Sequence, residues 1–423
     1  MRMQISGARL IDPTNGVDQI TDIFIQDSKI VAIGKMPRDF VAEQMIDATG
    51  LVAAPGLLDL GVSLREPGHT RKGNINSETL AAAVGGVTGL CCTPNTKPVI
   101  DSTAVVELIL DRTKMEGHTR VYPIGALTQN LDGEHLAELV TLHKEGCVAF
   151  SNDLAPMANN RVLRRALEYA ASFGLTVIFK SQDHDLAADG VAHEGAAASF
   201  RGLTGIPETA ETVALARDLL LVEQSGVRAH FSNITTARGA KLIEQAQKRG
   251  LDVTADVAMY QLFLTDDMVL DFSSNFHVQP PIRSLADRDA LREAVKSGVI
   301  SSIASHHQPQ DKDAKEAPFA ETEPGISSVE LLLPLALTLV HEGILDLQTA
   351  IARLTSGPAS ALKLNAGSLT VGANANLVLF DPAGTTLAGE HWYSKGRNCP
   401  FFGQSLNGKV HYTIRKGKIS YQA

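Results

Sequence analysis

The sequence predicts an α/β fold: a (β/α)8 TIM-type barrel with a flanking β-sandwich module built from both termini. Three observations carry this. Short β-branched runs recur eight times between residues 57 and 306, helical segments fill the intervals between them, and alternating strand-like runs stand at both ends of the chain. The eight runs are Leu57–Ser63, Val87–Thr93, Val121–Ala126, Cys147–Phe150, Leu175–Lys180, Val227–Phe231, Leu251–Val257 and Ile300–His306. A glycine precedes nearly all of them by one to three residues (Gly56, Gly86, Gly146, Gly174, Gly226, Gly250, Gly298), as expected of helices that close on a left-handed residue. Between the runs, Val213, Ala216 and Leu220 repeat at helical spacing in TAETVALARDLLLVEQSG, and VLRRALEYAASFG runs into its glycine stop. A doubly wound open sheet is the competing layout, because the order of the elements does not show closure.

The ends of the chain follow a two-residue rhythm. Ile23 and Ile25 alternate in DIFIQ, a turn falls at Asp27-Ser28, and Ile30 and Ala32 continue beyond it. After Gly367 the same rhythm returns in SLTVGANANLVLFDP and VHYTIRKGKISY, with a turn at Lys416-Gly417. The predicted division is therefore 1–52 for the N-terminal part of the β module, 53–366 for the barrel and 367–423 for the C-terminal part.

Composition narrows the function. With 423 residues, 44% hydrophobic and 20% charged, the chain can form a core of about 250–300 residues plus a smaller module. The formal charge of −9, with no basic stretch, argues against nucleic acid as a partner. The longest uncharged apolar run, Leu331 to Val340, is half of the ~20 residues that a membrane span needs. No apolar segment follows the arginine of MRMQISGARL, so a cytoplasmic protein with no membrane partner is expected. Cys91, Cys92, Cys147 and Cys399 form no CxxC pair and read as buried reduced thiols; no base stands beside Cys91 or Cys92 to make either a nucleophile. The 13 histidines raise the question of a metal, which their positions must answer.

Motifs in order along the chain address that question: GLLDLGVSLREPG (56–68), GGVTGLCCTPNTKP (85–98), GCVAFSND (146–153), GLTGIPETAETVALARD (202–218), QPPIRSLADRDAL (279–291), APFAETEPGISSVE (317–330) and GSLTVGANANLVLFDP (367–382). Together they closely resemble dihydroorotases of the amidohydrolase superfamily, of the type that works with aspartate carbamoyltransferase in pyrimidine synthesis. The resemblance implies a metal-dependent barrel that interconverts carbamoyl aspartate and dihydroorotate, in which a metal-bound water attacks and a carboxylate moves the proton.

The family's ligand positions, carried over one by one, are mostly changed. The first strand of the family ends Asp-x-His-x-His, where both imidazoles share a face; here Gly61 and Ser63 replace them. The carboxylate after the fourth strand is kept as Asp153, with Asn152 where relatives often carry a second acid. Lys180 stands at the histidine position of the fifth strand, Asn233 at that of the sixth, and His306 at the position of the proton-shuttling aspartate. Of the implied substrate-binding positions, Arg65 and Asn95 are retained and an asparagine becomes Gln279; Met259-Tyr260-Gln261 stands where the family has Pro-His-His. A lone carboxylate does not hold zinc usefully, so neither a metal nor any other cofactor is expected, and no catalytic residue is assigned. His306 and His307, adjacent on a strand, face opposite ways and do not chelate one ion; the other histidines stand singly.

Loss of the cation would strand Asp153, and Lys180 supplies a replacement charge: its ammonium is expected to occupy the vacated site and pair with Asp153. Arg65 either binds an anion or pairs with Glu66 or another acid. The segment from His307 to Pro324 resembles the family's substrate lid and, having lost its His-Ala-Pro-His base and carrying DKDAKE, reads as disordered or recruited into an interface.

The resemblance thus implies a catalytically inactive dihydroorotase homologue, found beside aspartate carbamoyltransferase in bacteria such as pseudomonads, that joins the carbamoyltransferase catalytic chain as a structural or assembly subunit in a hetero-oligomer and self-associates as a dimer. A residual or altered cyclic-amide hydrolase and a non-turnover dihydroorotate or orotate sensor are the alternatives.

Overall fold

The computed structural model of the chain describes residues 1–157 and 159–423. Eight parallel strands form its central sheet: Leu57–Val62, Val87–Cys92, Arg120–Ala126, Ala149–Ser151, Thr176–Phe179, Arg228–Phe231, Val253–Ala258 and Ser302–Ala304. They neighbour one another in chain order. The first and last close the ring through a parallel bridge between Val62 and His307, reinforced by the Ser63 N–H donating to the His307 carbonyl at 2.9 Å. Closure decides for the barrel over the open sheet, and all eight expected strands are present. Both faces of these strands are covered, which is why they read as continuous apolar runs rather than alternating ones.

Adjacent Cys91 and Cys92 show the two faces. Cys91 joins Leu58, Leu60, Ile124 and Ala304 in the barrel interior, whereas Cys92 belongs to the larger cluster between strands and helices. All four cysteines are free and buried, and burial pushes the Cys92 and Cys147 thiols up to about 12.

The surrounding helices begin and end where capping chemistry allows. Ser284 and Asp287 form a reciprocal capping box at the start of Leu285–Ser297, and Gly298, at φ 90°, ends it in the left-handed conformation. The helix Glu208–Ser225 forms where the spacing predicts it. Its Val213–Ala216–Leu220 repeat does not face the core: Val213 is 48% and Leu220 64% exposed. The buried face carries Ala210, Ala214, Leu215, Leu219 and Val222 together with two acids, Glu211 and Asp218. Each acid is satisfied inside. Glu211 accepts from the backbone and hydroxyls of Thr235 and Thr236, and Asp218 from Ser181 and Arg217. Buried acids disguise the inner face as a polar one, so the apolar stripe on the outside gives the misleading signal.

Both termini build one hydrogen-bonded sheet. Its order is Lys418–Gln422, Ser405–Arg415, Leu377–Leu387, Val52–Pro55, Arg2–Asp12, Val17–Gln26 and Lys29–Ile33, with Gln44–Asp47 also paired to Arg2–Asp12. Its inner face holds a separate core that includes Met3, Ile5, Leu10, Ile23, Ile25, Leu377 and Leu379. The turns at Asp27-Ser28 and Lys416-Gly417 fall where expected. Val52–Pro55 pairs with both terminal halves and stitches them together, so the junction with the barrel lies at Gly56 rather than at residue 53. Among the described residues no helix is long and apolar enough to cross a membrane.

Candidate functional site

The C-terminal ends of the barrel strands converge on one mouth, where this architecture places its chemistry. Arg65, Asp153, Asn233 and His306 all take positive φ there (62°, 50°, 59° and 47°). An arginine and a histidine do not adopt that region without a cost, and strained residues of this kind gather at functional sites.

One chain of contacts crosses the mouth from the first strand to the fifth. The Ser63 hydroxyl meets the Thr93 hydroxyl at 3.2 Å, Thr93 donates to Asn95 Oδ1 at 2.7 Å, and Asn95 Nδ2 donates to Asp153 Oδ2 at 2.7 Å. The other Asp153 oxygen lies against the Lys180 ammonium in an ion pair whose side chains are only 7% and 8% exposed. The pairing expected from the sequence is therefore present. Asn152 turns away and accepts from the Thr128 backbone and hydroxyl, so its amide serves the loop instead of the mouth.

A second cluster, on the sixth to eighth strands, was not anticipated. Asp256 is fully buried and accepts from four groups: His306 Nε2 at 2.7 Å, His230 Nε2 at 2.8 Å, the Ser232 hydroxyl at 3.0 Å and the Asn233 N–H at 2.7 Å. Burial opposes its charge, yet the imidazoles of His306 and His230 outweigh burial and hold the carboxyl far below the usual carboxylate range. Asp256 lies outside the motifs shared with the dihydroorotases. The available signal was a charged residue in the middle of the strand LDVTADVA.

Gly61 and His306 are coupled by space. A Cβ added at Gly61 would lie 2.9 Å from His306 Nδ1 and 3.0 Å from Cε1, so the imidazole fills the volume into which a side chain at 61 would project. Beneath them, Asp59 accepts from the Gly61 and Ser305 N–H groups on one oxygen, while its other oxygen has no partner and burial pushes the carboxyl up.

His307 points elsewhere, as its adjacency to His306 requires. Its Nδ1 accepts from the Ser328 and Val329 N–H groups, so Nε2 carries the proton that it donates to Glu78 at 2.7 Å. Glu78 also accepts from Ser77, Ser394 and the Lys395 backbone. This is a structural strut from a helix to the mouth.

Of the implied substrate positions, Arg65 donates Nε to the Pro309 carbonyl at 3.0 Å rather than pairing with Glu66, and Asn95 is spent on Asp153. Gln279 stands half-buried before Pro280 and makes no hydrogen bond among the described residues. The 307–324 segment is tied down: Gln310 bonds to Asn398 and Pro324, Lys315 to the Ser274 carbonyl, and Lys72 pairs with Glu323.

These residues do not fit a divalent cation. The position beside the one retained carboxylate holds an ammonium, position 61 offers no side chain, and among the described residues no group of three or more His, Cys, Asp or Glu is arranged to hold a metal.

Known proteins place the chain in a family. A family model described as Dihydro-orotase-like matches residues 50–238. The chain is 64% identical over 422 residues to a dihydroorotase-like protein of Pseudomonas aeruginosa, covering 100% of both, and 65% identical over 421 residues to one of Pseudomonas putida, covering 100% and 99%. It is 42% identical over 423 residues to a dihydroorotase of Syntrophotalea carbinolica, covering 100% and 99%. Among solved structures, an L-hydantoinase (dihydropyrimidinase) from Arthrobacter aurescens superposes with a TM-score of 0.89 at 24% identity over 99% of this chain and 95% of that one, a likeness of fold. The chain belongs to the dihydroorotase-like family.

Proposed function

We propose that this chain is a dihydroorotase-like protein without dihydroorotase activity, serving as a structural subunit of aspartate carbamoyltransferase in pyrimidine synthesis and self-associating within that assembly. The observation that carries the loss of activity is the Lys180–Asp153 ion pair, which puts a fixed ammonium where the family's chemistry needs a polarising metal. The steric exclusion at Gly61 by His306 supports it, since a ligand cannot return there without displacing a buried imidazole. The partnership rests on the family resemblance alone, and the proposed cytoplasmic location on the sequence pattern. Co-expression with and without the carbamoyltransferase chain, followed by sizing, metal analysis and both activity assays on the same fractions, tests the reading. Co-elution, no stoichiometric metal and background dihydroorotate hydrolysis are expected; metal-dependent turnover would overturn it.

One observation favours a second reading, a pocket that binds dihydroorotate or orotate without turnover. Arg65 spends only Nε on a protein acceptor among the described residues, leaving its terminal nitrogens for a carboxylate. Calorimetry without heat for either ligand would dismiss it. A residual hydrolase would instead show turnover abolished by Arg65→Ala.

A further inference from the structure

Residues 183–206 leave the barrel between its fifth strand and the helix Glu208–Ser225 and build a small appendage. A two-residue ladder, Ala192–His193 against Gly205–Ile206, closes it, and the short helix Ala196–Arg201 lies between the ladder strands in the chain. Its apolar centre is Ala192, Ala198, Val269 and Phe319, so the turn Asp266–Asp271 and the 307–324 segment pack into it. Arg283 ties the appendage to the barrel. Its Nη1 donates to the Ile206 carbonyl at 2.8 Å and to His193 Nδ1 at 3.1 Å, and its Nε to the Thr235 hydroxyl at 3.1 Å.

Two aromatic rings stand out from this anchored base: Phe200 is 78% and Phe272 44% exposed. The Arg201 guanidinium serves both, lying 5.6 Å from the centroid of the first ring and 4.7 Å from that of the second, and it also donates to the Leu270 carbonyl. One arginine thus gathers both rings into a single patch. Aromatic side chains with an arginine are what protein interfaces are enriched in, and rings ordered in advance lose less freedom on binding.

Charge selects the occupant. Residues 183–206 and 266–272 hold seven Asp and Glu and, apart from Arg201, no Lys or Arg. Asp185, Asp189, Glu194, Asp267 and Asp271 are exposed. The two acidic stretches adjoin, since a Cβ at Gly195 would lie 3.3 Å from Asp266 Oδ2. Like charge disfavours a second copy of this face, a nucleic-acid backbone and an anionic membrane; the complementary occupant is a protein surface with Lys and Arg around an apolar pocket.

We propose that this appendage is the face through which the chain docks its partner, with Phe200 and Phe272 entering an apolar pocket ringed by basic side chains. The inference rests on the structural-subunit reading above and commits to the carbamoyltransferase catalytic chain as that partner.

The test is biolayer interferometry of the full chain against the carbamoyltransferase catalytic chain, with sizing of each chain alone and of the mixture. Phe200→Ser with Phe272→Ser, both at exposed positions, should keep the wild-type circular dichroism and bind at least about 100-fold more weakly. Asp267→Lys with Asp271→Lys should slow association at least about tenfold at about 50 mM salt, and about 500 mM salt should weaken the wild-type complex at least about tenfold. If the serine pair misfolds, the lysine pair decides. Binding by both variants within about twofold of the wild type, or a wild-type complex indifferent to salt, would overturn the proposal and leave the subunit reading standing. No binding by the wild-type chain would overturn both. Variants that bind the carbamoyltransferase normally but lose self-association would give the face to a second copy and equally overturn the proposal.

Discussion

Replacing Lys180 by methionine removes the ammonium while keeping most of the side-chain volume, and so isolates the charge. Both members of the pair are nearly buried, so Asp153 would be left with Asn95 as its one side-chain donor. Unit charges about 4 Å apart in a medium of effective dielectric about 20 attract by about 4 kcal/mol. Breaking a buried pair by removing one partner costs about 3–5 kcal/mol for the same reason: the desolvation of the surviving charge is no longer offset. Lys180→Met should therefore lower unfolding free energy by about 3–5 kcal/mol, and Asp153→Asn by a similar amount through the stranded ammonium. The double variant, with neither charge, should recover most of the loss and give a coupling energy of at least about 2 kcal/mol. Urea unfolding at pH 7.5, followed by far-ultraviolet circular dichroism with unchanged m-values, measures all four states. A cost below about 1 kcal/mol for Lys180→Met, or additive single variants, would refute the idea that the ammonium offsets the charge of Asp153.

Three further outcomes follow from the geometry. Gly61→Ala places a methyl 2.9 Å from His306 Nδ1 and should cost about 1–3 kcal/mol in the wild type but clearly less in a His306→Ala background, as read by the same unfolding cycle. Glu330, raised to about 8, holds its proton in the folded state where the unfolded chain has lost it; its contribution to stability is therefore intact below about pH 4.5 and lost as pH rises to about 8. Unfolding free energy should accordingly fall less between pH 5 and pH 8 in Glu330→Gln than in the wild type, by on the order of a few kcal/mol, and parallel profiles would contradict this. Leu220→Lys, on the outer face of its helix, should change stability by no more than about 0.5 kcal/mol, whereas Leu219→Lys, one residue away and buried, should prevent folding; equal effects would reverse the assigned face.

The barrel was legible because its signals are local. Each strand is a short apolar run and each helix ends near a glycine, so eight repeats can be counted without knowing what touches what. The Lys180–Asp153 pair was legible for another reason: charge must balance in a buried place, and the family pattern put both residues in the same place. Asp256 was not, since its partners His230 and His306 come from the two neighbouring strands and only the register of those strands in the sheet brings the three together. The same holds for Gly61 and His306, which read as separate losses on the first and eighth strands but share one volume. The helix Glu208–Ser225 was legible but its buried face was not, because that face uses Glu211 and Asp218, whose polarity mimics exposure until their hydrogen-bond partners are known.

Those couplings make the altered positions an alternative packing instead of a set of independent vacancies, and the proton-shuttle position tests this most directly. His306 now donates to Asp256 and blocks the space above Gly61. Restoring an acid there by His306→Asp would remove one of the two imidazoles that keep Asp256 ionised and would set a second carboxylate beside it, with the partly unpartnered Asp59 close below. Loss of a hydrogen bond to a charged group is worth about 1.5–3 kcal/mol, and repulsion between buried like charges adds to it, so a total of at least about 3 kcal/mol is expected near neutral pH. Because protonation relieves the repulsion, the gap from the wild type should narrow as pH falls toward 5, the sign opposite to that of an acid held by a salt bridge. If His306→Asp proved as stable as the wild type at pH 7.5, the imidazole would be a passive filler and the changes around the mouth would be independent after all.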